Sequence, residues 1–298
     1  MAYSYEFECG GPISLEEFVC SISENIDVND ADSLQESARY LHALSLNTHL
    51  FDDVITDAIE RNASIGGLQE SFNAYTDATF LLDGCPNQSF YVRANVWKKP
   101  KEIAGRLDFQ NEKYSYEAAH DHNFDFVTVG YFGPGYRTRI YEYDHSKITG
   151  QVGELVDITL LEETTLPTGK VMMYRKSVDI HTQMPPTDTS ISVNLMVPPP
   201  WEDYKEQYYF DVENGAVGGF VMGPVNYQVS VLSLAADIGD ESMLDPLIAI
   251  ATGSACARTR ASAIDTVLKI APNMRDMMLS RCGTDPHPLV AKSLSFAL

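Results

Sequence analysis

The sequence predicts an α+β protein, in which an antiparallel β-sandwich or barrel lies between a helical N-terminal segment and a helical C-terminal region. The first observation behind this is a change of hydrophobic period. Apolar residues recur every three or four positions up to about Ser64, every second position from about Ser89 to Val212, and every three or four again after about Tyr227. The second is punctuation: Gly133-Pro134-Gly135, Pro167-Thr168-Gly169, Pro185-Pro186 and Pro198-Pro199-Pro200 divide the middle into short runs. The third is size, since 298 residues at 44% apolar content are enough for a substantial core. The expected boundaries are 1–88 for the N-terminal helices, 89–226 for the β-domain and 227–298 for the C-terminal helices.

In the first zone Leu15, Phe18, Val19, Ile22 and Ile26 follow the helical period, with Ser14 as a cap ahead of Glu16 and Glu17. Leu34, Ala38, Leu41 and Leu44 predict a second helix, and Val54, Ile55, Ala58 and Ile59 a third. The middle zone alternates in Phe126–Tyr131, Arg139–Tyr143, Lys170–Tyr174, Ser190–Met196 and Tyr208–Phe210. Short strands with turn signals between them are the mark of a sandwich or barrel. The last zone holds short amphipathic segments around Val231–Ala235, Met243–Ile248, Ile264–Ile270, Met277–Leu279 and Leu289–Leu298. They read as one or two HEAT-like helical pairs, serving as a cap on the barrel or as a protein-binding arm.

The net charge is −21, from 42 acidic and 21 basic residues. That field repels nucleic-acid phosphates and anionic lipid surfaces, which argues against both as partners. No apolar run approaches the ~20 residues of a membrane span. The start Met-Ala-Tyr-Ser-Tyr-Glu lacks the basic and apolar stretches of a secretory signal, so a cytoplasmic location is expected. Cys9, Cys20, Cys85, Cys256 and Cys282 are scattered without a Cys-x-x-Cys pair. They read as reduced structural residues rather than a zinc knuckle or a disulfide framework.

The chemistry concentrates in the histidines, of which the chain has seven. His120-Asp121-His122 precedes the strand at Phe126, and residues i and i+2 of a strand share a face. Both imidazoles then offer nitrogen to one cation of the iron, copper, zinc or nickel type. His181 is expected at the end of the strand from Lys170, returned beside the pair by the intervening strands. His42, His49, His145 and His287 read as structural or solvated.

Residues 89 to about 200 resemble cysteine dioxygenase and its relatives, the thiol dioxygenase branch of the cupins. Tyr91-Val92-Arg93-Ala94-Asn95 is similar to the family's Tyr-x-Arg-Asn segment with one residue inserted. Ala119-His120-Asp121-His122 matches its Ile-His-Asp-His core. His181, then Pro185, Thr187 and Ser190–Pro199, resembles its last iron ligand and the Ser-x-His-x-Tyr-x-Pro-Pro strand. The resemblance implies a cupin-type antiparallel β-barrel (jelly roll) in which His120, His122 and His181 hold Fe(II). Zinc, nickel or manganese are less favoured. It also implies that Arg93, whose planar fork suits a carboxylate, orients the substrate with Tyr91. The usual cupin glutamate would fall at Phe126 or Val127, and Asp125 is one step too early, so a three-histidine site is expected.

The departures fall on the helpers. Val127 stands where the family's cross-linking cysteine would be, Met196 at its tyrosine and Asn194 at its histidine; only Ser192 of that relay remains. Methionine cannot donate a hydrogen bond. Tyr131, Tyr141, Tyr143 and Tyr174 are candidates to replace the phenol, and the sequence selects none of them.

The leading expectation is an O2-dependent non-haem iron oxygenase for a small amino-acid-like or thiol-bearing substrate other than plain cysteine. A metal-dependent isomerase, lyase or hydrolase that does not use O2 is the first alternative. The second is a non-catalytic cupin scaffold docking a protein through its C-terminal helices.

Overall fold

The computed structural model describes residues 3–8, 10–52, 55–56, 78–83, 89–100, 111, 113–200 and 205–296. Among them are twelve strands and seven helices, so the α+β class stands. Of the expected third N-terminal helix, Ile55 is helical, and Val54, Ala58 and Ile59 lie outside the described residues, as do Cys9 and Cys85. Cys20, Cys256 and Cys282 are free thiols. No helix among the described residues is long and apolar enough to cross a membrane. The chain divides into two compact units, residues 1–143 with 157–198, and residues 144–156 with 199–298.

The first unit opens with a short strand β1 (Tyr3–Tyr5) and two helices, α1 (Leu15–Asn25) and α2 (Ala31–Ser45). Ser14 caps α1 through a reciprocal box: its hydroxyl accepts the Glu17 N–H at 3.1 Å, and the Glu17 carboxylate accepts the Ser14 N–H at 2.7 Å. Asp30 caps α2 by accepting the Ser33 N–H at 2.8 Å. The periodic residues Phe18, Ile22, Leu34, Ala38, Leu41 and Leu44 are buried together.

Two sheets follow. One runs β1, β8 (Val171–Tyr174), β5 (Asp125–Phe132), β10 (Ser190–Val197), β3 (Tyr91–Trp97) and β2 (Thr79–Asp83), all antiparallel. In this unit the second runs β4 (His120–Asp121), β9 (Asp179–Gln183), β6 (Arg137–Glu142) and β7 (Thr159–Thr165). Alternation divides the first sheet between two cores. Val127, Val129, Val171, Met173, Val193, Leu195 and Val197 pack with α1 and α2. Tyr91, Trp97, Phe126, Met172, Tyr174 and Met196 turn the other way and meet Ile140 of the second sheet in an interior lined by aromatic rings.

Close backbone approach fixes the turns. Gly135 has φ +78, and a Cβ there would lie 1.9 Å from the Leu166 carbonyl oxygen; one on Gly130 would lie 2.1 Å from that of Pro167. The edge strand β7 carries Glu162 and Glu163, charges that discourage pairing with another chain. Glu163 takes Arg139 at 2.8 Å and Arg137 at 3.3 Å.

The structure corrects the expected strand from Lys170 to His181. After Tyr174 the chain turns: the Asp179 carboxylate accepts the Arg175 N–H at 2.8 Å and its guanidinium at 2.6 Å, and Ser177 has φ 53. His181 therefore lies in the middle of its own strand, β9.

The second unit contains a hairpin, β11 (Tyr208–Asp211) with β12 (Ala216–Phe220), and helices α3 (Pro224–Ile238), α4 (Leu244–Gly253), α5 (Ala257–Ile270), α6 (Arg275–Cys282) and α7 (Pro288–Phe296). Pro224 in the first turn starts α3 ahead of the expected Tyr227. Leu232, Leu247, Ile248, Ile264, Val267, Met278, Val290 and Leu294 form its core. Asp285 accepts two bonds from the Arg260 fork, at 2.6 and 3.1 Å.

Candidate metal centre

The three histidines reach one point from two short strands. His120 stands opposite His181 in the antiparallel β4–β9 pair, so both side chains leave the same face. His122 follows just beyond β4, its ring stacked on Phe124 with centroids 4.5 Å apart. The His181 Nε2 lies 3.0 Å from the His122 Nε2 and 3.2 Å from the His120 Nε2. Ligand nitrogens of all three fall within 4.8 Å of one another, and this is the cluster among the described residues that could hold an ion. The two distances from His181 are those of neighbouring ligands: nitrogens ~2.1 Å from a shared ion stand ~3.0 Å apart at a right angle and ~3.4 Å apart at a tetrahedral angle.

Protonation is also suited to ligation, which needs neutral imidazole. Burial pushes the pKa of His120 down, opposed by its hydrogen bond to the Ala118 carbonyl. Burial pushes that of His181 well down, reinforced by the positive fields of His120, His122 and Arg93. The His120 Nδ1 donates to the Ala118 carbonyl at 2.8 Å, which leaves the Nε2 lone pair facing the other rings.

The other expected site residues are placed as follows. Arg93 and Tyr91 lie two apart on β3, opposite Asn194 and Met196 of β10. Arg93 shares the β3 face of Tyr91 and Trp97, and its charge acts on both His181 and Tyr136. Tyr91 and Met196 are buried in the interior cluster. Ser192 and Asn194 belong to a polar row. The Trp97 Nε1 donates to the Ser192 Oγ at 3.0 Å, and the Thr128 hydroxyl donates to the Asn194 carbonyl oxygen, with Tyr136 bonded to Thr128. Val127 is not on this side; it faces α1 and α2, while its neighbours Phe126 and Thr128 face the interior. Asp125 is engaged elsewhere, accepting the Lys176 N–H at 2.8 Å.

The tyrosines separate cleanly. The Tyr131 hydroxyl donates to the Asn47 carbonyl, and the Tyr143 hydroxyl donates to buried Asp121 at 2.6 Å. Tyr174 lies in the interior, its ring 4.8 Å from that of His181 and stacked on Phe126 at 4.6 Å, with its hydroxyl toward Thr138. Burial pushes its pKa well up, so it stays a neutral phenol.

Sequence reasoning missed Gln183. Its amide meets the His181 Nδ1 at 2.9 Å, and both residues are buried. The signal was there, since Gln183 lies two residues beyond His181 and shares its face. It went unused because His181 was placed at a strand end.

No model of a known protein family matches the chain, and no curated protein matches it. Among solved structures, hydroquinone 1,2-dioxygenase PnpCD with Cd2+ and 4-hydroxybenzonitrile aligns over 43% of this chain and 68% of its own, at 9% identity and TM-score 0.27. RmlC from Streptococcus suis with dTDP-D-xylose aligns over 38% of this chain and 45% of its own, at 9% identity and TM-score 0.23. The match thus spans less than half of that protein's length. A structure of the DMSP lyases RdDddP and RnDddQII aligns over 64% of this chain and 77% of its own, at 12% identity and TM-score 0.25.

Proposed function

We propose that the chain is a cupin-type, mononuclear non-haem iron oxygenase that uses O2 on a small amino-acid-like or thiol-bearing substrate. The observation that carries this reading is the convergence of the His120, His122 and His181 Nε2 atoms in a buried interior. When bound, iron(II) on three neutral nitrogens supplies open coordination positions and an uncompensated positive charge that favours an anionic substrate. The chain supplies the rest. Arg93 offers a carboxylate a charged, planar fork. Phe124, Phe126, Met172 and Met196 provide apolar walls that exclude water, and Tyr174 sets its ring beside His181 with its neutral hydroxyl toward Thr138.

The substrate differs from plain cysteine in this proposal because the apolar Met196 thioether stands where a phenol is expected. A second reading, an isomerase, lyase or hydrolase on zinc, nickel or manganese, is favoured by that same loss of a polar helper. Metal analysis with oxygen uptake decides: a zinc-only protein that consumes no O2 with any thiol or amino acid sinks the iron reading. His181→Ala is expected to abolish iron binding and His145→Ala to leave it unchanged, and equal loss in both removes the triad.

A HEAT-like docking role for the C-terminal helices belongs to the same proposal. It is supported by an exposed apolar row on α3, formed by Tyr227, Val231, Leu234 and Ile238. A Leu234→Lys chain that keeps every protein partner of the unaltered one removes that role.

A further inference from the structure

We infer that Gln183 is a positioning residue for the metal centre, and that its amide turns over when an ion is bound. The inference rests on the metal-centre reading above and concerns how His181 is prepared for it.

His120 and His181 present the same nitrogen to the cluster but are held differently from behind. The His120 Nδ1 faces a carbonyl oxygen, an obligatory acceptor, so that ring keeps its proton on Nδ1 and a lone pair on Nε2. The His181 Nδ1 faces the Gln183 Nε2, a donor, at 2.9 Å. An amide N–H directed at Nδ1 requires a lone pair there, so the His181 proton sits on Nε2. That arrangement is self-consistent without an ion, because the His181 Nε2–H can donate across 3.2 Å to the lone pair of the His120 Nε2.

Ligation demands the opposite tautomer. The His181 Nε2 must give up its proton to face the cation, and Nδ1 must carry one. A buried Nδ1–H then needs an acceptor, and leaving it without one costs roughly 1–3 kcal/mol. The Gln183 amide can supply that acceptor by a half-turn about its last side-chain bond, since its oxygen and nitrogen ends have nearly the same shape. Its Oε1 has no hydrogen-bond partner among the described residues, so the turn breaks no bond on that side. Thr138 stands directly opposite Gln183 in the β6–β9 pair, so the two side chains leave the same face, and it is a buried polar neighbour of the amide. Glutamine suits both states; a residue that only donates or only accepts suits one.

The test uses the full-length chain stripped of metal, with zinc alone as a redox-silent probe. In the unaltered protein, 15N histidine spectra should show the His181 proton on Nε2 before zinc and on Nδ1 after it. A zinc-free spectrum with the proton already on Nδ1 overturns the turnover. Competition titration should give Gln183→Leu a zinc affinity 10- to 100-fold weaker. Gln183→Glu, whose carboxylate accepts but cannot donate, should bind at least as tightly as the unaltered chain. A leucine variant equal to wild type, or a glutamate variant as weak as leucine, overturns the positioning role alone. An unaltered chain that binds zinc no better than His120→Ala overturns the metal-centre reading as well. If Gln183→Leu does not fold by circular dichroism, the glutamate variant and the histidine spectrum still decide.

Discussion

At the scale of single residues, burial does most of the chemical work. It keeps His120 and His181 neutral, and it also acts on His145 in the second unit, whose pKa is pushed down to about 4 by desolvation and the nearby Lys205. The unfolded chain then binds a proton near pH 6.5 that the folded chain refuses until about pH 4. Stability from this residue is therefore full above 6.5 and falls as pH drops toward 4. Urea unfolding should show wild type losing about 2 kcal/mol more than His145→Gln between pH 7 and 5. An unchanged pH slope in the variant counts against this assignment. The histidine pair was legible in the sequence because two-residue spacing on a strand is a rigid geometric rule. His181 lies 59 residues from His122, and no local pattern spans that distance, so its place rested on the return of the intervening strands and on family likeness. Tyr174 was not selected because its role depends on which strands become neighbours, and Gln183 because His181 was expected to end its strand.

At the scale of elements, the helices and the strongly alternating strands were read with small errors at their ends. The elements that escaped lack an alternating pattern, each for its own reason. β9 is buried along its whole length, so it shows no alternation, and β4 has only two residues. β7 exposes most of its side chains and carries acids on both faces, so it resembles a loop. The capping box gives a direct element-level test. Ser14→Ala should destabilise the protein by about 1 kcal/mol, read as a lower urea midpoint at constant slope. Gly135→Ala should cost more than Ser14→Ala, because φ +78 and the Leu166 carbonyl both oppose a side chain. A Gly135→Ala midpoint above that of Ser14→Ala argues against the close turn.

At the scale of the whole molecule, the net charge of −21 sets the terms for any anionic ligand. Long-range repulsion opposes approach, and the Arg93 guanidinium attracts only at short range. Added salt screens the first more than the second. For the proposed carboxylate substrate, kcat/KM should therefore rise between 20 and 200 mM salt, roughly two-fold or more; a steady fall would place attraction, not repulsion, in control of encounter.

The first sheet of this molecule carries two unrelated obligations on one backbone. Along β10, Val193, Leu195 and Val197 satisfy the helices, while Ser192, Asn194 and Met196 face the interior. Gain or loss of one residue within that strand would exchange the two sets and ruin both cores at once. The ancestry of such a site can therefore change its reactivity by replacing side chains but not by altering strand length. Insertions and deletions are confined to the turns, and a lineage of this fold should drift in chemistry faster than in the spacing of its strands.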